Sequence, residues 1–339
     1  MPTANAEATT AAMLRLFGPE CTPAPIDPAH CTALPESTVW IDLLEPTKEE
    51  ERLAEKLLGT NIPTREELAE IEPSSRLYQK RGAAFMTMSV LFGVGDGQPD
   101  SDAVGFILND KHVVTVRYID PKPFVVFAEH VYAEPEIARD PKELLVRLLD
   151  AIVDRLADEF EVAGKDIETI SRRIFQRHAH RSSDNKAPEM RLEAILMRIG
   201  KVEQLLAKLR ETSVSTLRLL TFLQSLDMLE DDATNRRHVK SLVADADALN
   251  DHSNFLGDNL TFLLDATLGL ISLEQNNVMK VFSVFAVIFM PPTLIAGVYG
   301  MNFEHMPELK WIFGYPFALA LMLASAIIPF MVARRRGWL

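Results

Sequence analysis

The chain has 339 residues and a formal net charge of −13, with 24% charged and 47% hydrophobic residues. Such acidity disfavours a nucleic-acid partner, whose phosphates call for a basic surface. A chain both this charged and this hydrophobic has to segregate the two, and it does so near its end: residues 281–303 and 311–333 are two runs of 23 residues without Asp, Glu, Lys, Arg or His.

The start, "MPTANAEATTAAMLRLFG", has neither a basic n-region nor an apolar h-region and is not expected to be a signal peptide. Residues 1–36 are rich in Ala, Pro and Thr and predict a loosely ordered leader. Cys21 and Cys31 frame "CTPAPIDPAHC", but the spacing fits no standard zinc pattern, and both are expected to be incidental.

Residues 37–140 predict a cytoplasmic α/β domain. "STVWIDLLE" and "GAAFMTMSVLF" read as strands, and "AVGFILNDKHVVTVRYI" as two strands folded into a hairpin at Asn109 and Asp110. Thr47 with Glu50, and Thr64 with Glu67, fit the Ser/Thr-x-x-Glu box that opens a helix. A further helix from about residue 121 is expected to cover the sheet. Residues 141–237 predict a cytoplasmic helical region: one helix from 141, a polar break at "HAHRSSDNKAPEM", a second helix over 188–229 and a second break at "EDDATNRR".

From about residue 238 to 303 a third helix runs without a stop signal. Its first proline is Pro291, and helix formers pass straight into the first apolar run. A helix of this length points to a stalk rather than an isolated element. Each apolar run is long enough to cross a ~30 Å hydrocarbon core, giving one span over about 281–301, a loop over 304–310, a second span over 311–333 and a basic tail over 334–339. Lys280 and Arg334–Arg336 flank the spans, whereas the loop holds only Lys310. Both termini are therefore expected in the cytoplasm, with the loop outside.

One face of the long helix carries Asp265, Ser272, Asn276, Met279, Phe282, Ala286, Met290 and Thr293, at steps of three, four and seven. Several are polar or small where lipid favours Leu, and polar groups at membrane depth face partner helices or a water-filled path. Two helices cannot enclose such a path, so several copies would have to surround an axis.

The residues between the spans, "YGMNFEHMPELKW" (299–311), resemble the tail of the first membrane helix and the following loop in the CorA family of magnesium channels. The likeness extends through "NNVMKVFSVFAVIFMPPTLIAGVYGMN", the end "RRRGWL", and in the soluble part "WIDLLEPTKEE", "PTREELAEIEPSSRLY" and "GAAFMTMSVL". The resemblance implies an α+β cytoplasmic domain with a long helical stalk and two transmembrane helices, assembled as a pentameric funnel in the inner (plasma) membrane. It implies transport of Mg²⁺, and also of Co²⁺ and Ni²⁺, with no prosthetic group. Gly300, Met301 and Asn302 correspond to the filter, with Asn302 facing the ion; Thr293, Met290, Met279, Asn276 and Asp265 correspond to pore-lining positions, and Asp265 is a further candidate metal contact. Phe282 stands where the family commonly has leucine at its constriction, and Pro292 where leucine commonly follows the first proline.

The chemistry suits the ion. Mg²⁺ sheds water reluctantly, and neutral Asn oxygens accept hydrogen bonds from its hydration shell without holding it too tightly to leave. Glu304 and Glu308 are placed to concentrate cations at an external vestibule. A doubly charged ion falling through 100 mV gains about 4.6 kcal/mol, so no ATP is required, and the chain has no Gly-x-x-x-x-Gly-Lys-Ser/Thr motif. Carboxylates shared between copies, with Asp245 and Asp247 as candidates, could bind regulatory Mg²⁺. The alternative is a ZntB-like zinc transporter. It tends to a glycine-richer loop than "FEHMPELKW", and the lone loop His305 gives it little support. A receptor or enzyme merely anchored by the hairpin would need a catalytic constellation in residues 38–230, and the sequence offers none.

Overall fold

The computed structural model describes residues 13–19, 21, 33–70, 72, 76–179, 192–229, 232–301 and 311–336, without the side chains of 176–179 and 229. These form two units, residues 1–263 and 264–339.

The first unit is built on a six-stranded sheet of order β1-β2-β6-β5-β4-β3, with β1 Met13–Phe17, β2 Trp40–Leu44, β3 Leu77–Lys80, β4 Ala83–Phe92, β5 Asp100–Leu108 and β6 Val113–Arg117. Every neighbouring pair is antiparallel except β2 and β6, which run parallel with Asp42 opposite Thr115. The β5–β6 hairpin turns where expected: the Asn109 carboxamide oxygen accepts from the backbone N–H groups of Lys111 and His112. At residues 13–17, β1 corrects the expectation of a loosely ordered leader over 1–36, most of which lies outside the described residues. "MLRLF" is five residues of mostly apolar character, and pairing with β2 buries Leu14, Leu16 and Phe17. Cys21 is a free thiol near Ser37 and Thr38; Cys31 lies outside the described residues.

Because strand side chains alternate, the sheet has two apolar faces. On one, Ile41, Leu43, Val114 and Val116 pack with residues from α1 (Lys48–Leu58) and α2 (Arg65–Leu68). Both predicted capping boxes form: the Thr47 and Thr64 hydroxyls accept from the backbone N–H of Glu50 and Glu67, whose carboxylates accept from the two threonine N–H groups. On the other face, Trp40, Phe106 and Met88 meet Phe124 and Phe127 of α3 (Lys122–Ala133), together with residues of α4 (Pro141–Ala179), α5 (Leu192–Gln224) and the first turns of α6 (Ala233–Tyr299). Residues of 37–140 and 141–237 thus contribute to one hydrophobic core. The long helix begins at Ala233, earlier than the break at "EDDATNRR" suggests. Asp232 closes that break itself: its carboxylate accepts from the N–H groups of Thr234 and Asn235.

Up to Leu263, α6 lies along α4 in the same direction. His238 pairs with Asp150, His252 meets Phe160 edge-on, and Phe262 stacks on Phe175. Beyond it, the second unit holds the rest of α6 and α7 (Gly314–Arg335), both long and apolar enough to cross a membrane. α7 starts three residues into its apolar run, because residues 311–313 form a turn closed by the Gly314 N–H on the Trp311 carbonyl.

Candidate functional site

The helix of the first span continues through Pro291 and Pro292. Each proline lacks an N–H, so the carbonyls of Val287 and Ile288 lose their usual helical donors. Next to them, Thr293 donates its hydroxyl proton to the Phe289 carbonyl at 2.7 Å, and Ser283 likewise to Met279 at 2.8 Å. With its proton engaged, the Thr293 oxygen can only accept from anything beside the helix.

All eight residues of the predicted stripe, Asp265 through Thr293, are exposed in the single chain. At about 100° per residue they fall within roughly a third of the helix circumference. The least exposed positions of the same span, Val284, Ile288, Pro291, Pro292, Ile295 and Tyr299, fall on the opposite side. On α7 the covered row is Gly314, Ala318, Met322, Ser325, Ala326, Pro329 and Ala333, mostly small residues of the kind that let helices approach closely in lipid. Large apolar side chains fill the remaining faces, with Phe285 55%, Phe289 60% and Leu323 64% exposed. Surfaces of this kind require lipid or further copies of the chain.

Along the stripe, oxygen-bearing Asp265, Ser272 and Asn276 come first. Met279, Phe282, Ala286 and Met290 then form an apolar stretch about 16 Å long at 1.5 Å per residue. Thr293 restores an oxygen. The helix ends at Tyr299, and the Gly300 N–H donates to the Ala296 carbonyl at 2.9 Å. A side chain at Gly300 would put Cβ 3.0 Å from that carbonyl oxygen, so glycine is what lets the turn lie flat on the helix end. Met301 is exposed beside it. Asn302, Glu304 and Glu308 lie outside the described residues.

Asp245 and Asp247 are both exposed on α6. Asp245 acts on a row that the sequence reading missed, Asp150, Asp154 and Asp158 on α4, although their spacing of four was legible as one helix face. Partial burial, and then Asp150, Asp158 and Asp245, push the Asp154 carboxyl above its ordinary range. Among the described residues no three His, Cys, Asp or Glu side chains of one chain are arranged to hold a metal ion. Replacing Asp154 with Asn should remove this like-charge repulsion and raise the thermal midpoint in divalent-free, low-salt buffer. The gain should vanish near 0.5 M salt, where screening shortens to a few ångströms; scanning calorimetry at the two ionic strengths checks it.

The fold and the two spans define the class: a membrane protein with a mixed-sheet α+β domain, a long helix and a hairpin of apolar helices. Residues 35–335 match the family described as CorA-like Mg2+ transporter protein. The chain is 32% identical over 301 residues to the magnesium transport protein CorA of Salmonella typhimurium, covering 89% of this chain and 92% of that protein. It superposes on the complete CorA magnesium transporter structure from Methanocaldococcus jannaschii with a TM-score of 0.75, at 19% identity and full coverage of both chains. The cytoplasmic domain of ZntB from Vibrio parahaemolyticus shares the fold at a TM-score of 0.55 and 8% identity, covering 77% of this chain and 98% of that one. The chain belongs to the CorA family of magnesium transporters, which move ions and are not enzymes.

Proposed function

We infer that the chain assembles as a homopentamer in the inner membrane and conducts Mg²⁺, and also Co²⁺ and Ni²⁺, into the cytoplasm down the membrane potential. Both termini face the cytoplasm. The observation that carries this reading is the exposed stripe on α6, which faces away from the covered row of its own span and alternates oxygen-bearing and apolar segments toward Gly300. Around a five-fold axis, Thr293, Met290, Ala286, Phe282, Met279, Asn276, Ser272 and Asp265 line the path. Gly300, Met301 and Asn302 form the filter, and Glu304 and Glu308 the vestibule. The hydrated ion is recognised through its water by Asn302, and Phe282 narrows the apolar stretch, where a pore can gate by losing its water.

The test is uptake into liposomes that enclose a Mg²⁺-sensitive dye, with an inside-negative potassium diffusion potential. Influx should follow the imposed potential, about 2.3 kcal/mol per unit charge per 100 mV, and Co²⁺ and Ni²⁺ should compete. Uptake indifferent to the potential would sink the reading. For zinc transport no feature of the described residues speaks, and the likeness to ZntB extends to the fold alone.

Regulation by Mg²⁺ then falls to carboxylates contributed by more than one copy, since one chain brings no three together among its described residues. Asp245 and Asp247 are the candidates. Without the ion, apposed carboxylates repel and loosen the assembly. Limited proteolysis of the detergent-solubilised protein should cut the stalk over 238–280 several-fold faster in chelator than in millimolar Mg²⁺; equal rates would count against such sensing.

A further inference from the structure

In the first unit, three arginines line a cleft of about 710 Å³ between the sheet, α5 and α6: Arg76, Arg210 and Arg218. Arg210 and Arg218 lie two helical turns apart on one face of α5, and Arg76 reaches the cleft from just before β3. None of the three has a carboxylate partner within 4.0 Å among the described residues. Arg210 makes one long contact, Nε to the Ser253 hydroxyl at 3.5 Å, and Arg76 donates from Nε to the Glu70 carbonyl. Arg218 makes no hydrogen bond or ion pair among the described residues. On the neighbouring helices some arginines do find carboxylates, as Arg147 does with Glu143 and Arg198 with Asp166.

Three carboxylates also line the cleft, Glu203, Glu211 and Asp258, yet none has closed on a guanidinium. Glu211 is engaged instead by Lys208 and the Ser101 hydroxyl. The floor adds neutral donors. Ser89 is buried, and its N–H donates to the Ser215 hydroxyl oxygen at 2.9 Å, leaving the Ser215 proton free to point elsewhere. The Arg210 guanidinium lies close over Gly257 on α6, where a Cβ would come 3.0 Å from Nη2. Guanidinium forks match the oxygens of phosphate two at a time, and charge-assisted hydrogen bonds of this kind are the strong ones.

We propose that this cleft binds a phosphate-bearing anion, either inorganic phosphate or the phosphoryl groups of a nucleotide, with Arg210 and Arg218 as its main contacts and Arg76 and Ser215 completing the ring of donors. None of the residues lining the cleft is among those assigned to the conduction path, and the proposal stands whether or not the pore assignment does.

The experiment is isothermal titration of the full-length protein in detergent, in divalent-free buffer at low salt, with sodium phosphate, sodium pyrophosphate and sodium ATP in separate runs. Saturable binding is expected, weakened at least about tenfold in Arg210→Gln/Arg218→Gln and unchanged in Lys240→Gln, an exposed position outside the cleft. Tighter binding of ATP than of pyrophosphate identifies a nucleotide site, and parity identifies a phosphate site. Both arginines are exposed, so the double variant should fold with an unchanged thermal midpoint; should it not, Arg218→Gln alone carries the comparison. No saturable binding of any of the three anions, or equal binding by the variant, overturns the proposal. So does a variant that alters only the oligomeric state, which would make the cleft a contact between copies.

Discussion

Replacing Asn302 with alanine is expected to lower potential-driven Mg²⁺ uptake about tenfold to a hundredfold, with no change in the thermal stability of the soluble unit. On the proposed reading, each copy offers one carboxamide oxygen to water in the ion's first shell. Hydrogen bonds to charged partners contribute about 1.5–3 kcal/mol, and every ~1.4 kcal/mol on a barrier is tenfold in rate. Alanine removes the acceptor and widens the mouth, so the ion meets no replacement for the bulk water it leaves behind. Asn302→Asp separates recognition from simple blockage. It keeps the oxygen but adds a negative charge per copy, so half-saturation should shift to lower Mg²⁺ while the maximal rate also falls, because a dication held by a ring of carboxylates leaves slowly. Liposome influx measured across a range of Mg²⁺ concentrations distinguishes the two. If both variants conduct like the parent, Asn302 is not the filter.

The parts of this protein that the sequence disclosed are those written in local code. The capping boxes at Thr47 and Thr64, the hairpin at Asn109 and the two uncharged runs each involve neighbours within a few residues, and each forms in the structure. The stripe on α6 was legible because helical period is a local property. That it lies opposite the covered row of its span was not, since exposure depends on what packs around the helix. The same limit explains β1. Nothing in "MLRLF" specifies a strand until β2, separated by more than twenty residues, offers an edge to pair with.

The buried charges were hidden for this reason too. Asp42 in "WIDLL" and Arg117 in "VVTVRY" look like isolated polar interruptions of two apolar strands. Only the parallel pairing of β2 with β6 places them on one face, beneath α3.

That pair supplies the second large effect. Arg117→Met is expected to destabilise the first unit by about 3–5 kcal/mol, the usual consequence of leaving half of a buried ion pair behind. Both side chains are fully buried at 2.9 Å, and Asp42 also accepts from Arg117 Nε, the Thr115 hydroxyl and Arg15. Arg117 further donates to the Ile119 carbonyl and to Asp120, and lies over the Phe124 ring at 5.0 Å, tying the network to α3. Burial alone would raise the Asp42 carboxyl, but the charge and hydrogen bonds of Arg117, joined by Arg15 and Thr115, hold it below its ordinary value of 3.8. The folded state therefore binds this proton less readily than the unfolded one. The stabilisation is complete above the ordinary carboxylate range and is lost as pH falls through the depressed folded value. Urea unfolding of the full-length protein at neutral pH should show the loss in Arg117→Met. In Asp42→Leu/Arg117→Met most of it should return, because neither charge is then stranded and both strands keep apolar volume. Against the same measurement at pH 3, the parent should lose more stability than the double variant, which no longer has this carboxylate to protonate. A double variant as unstable as the single one would mean that the two charges are not each other's principal support.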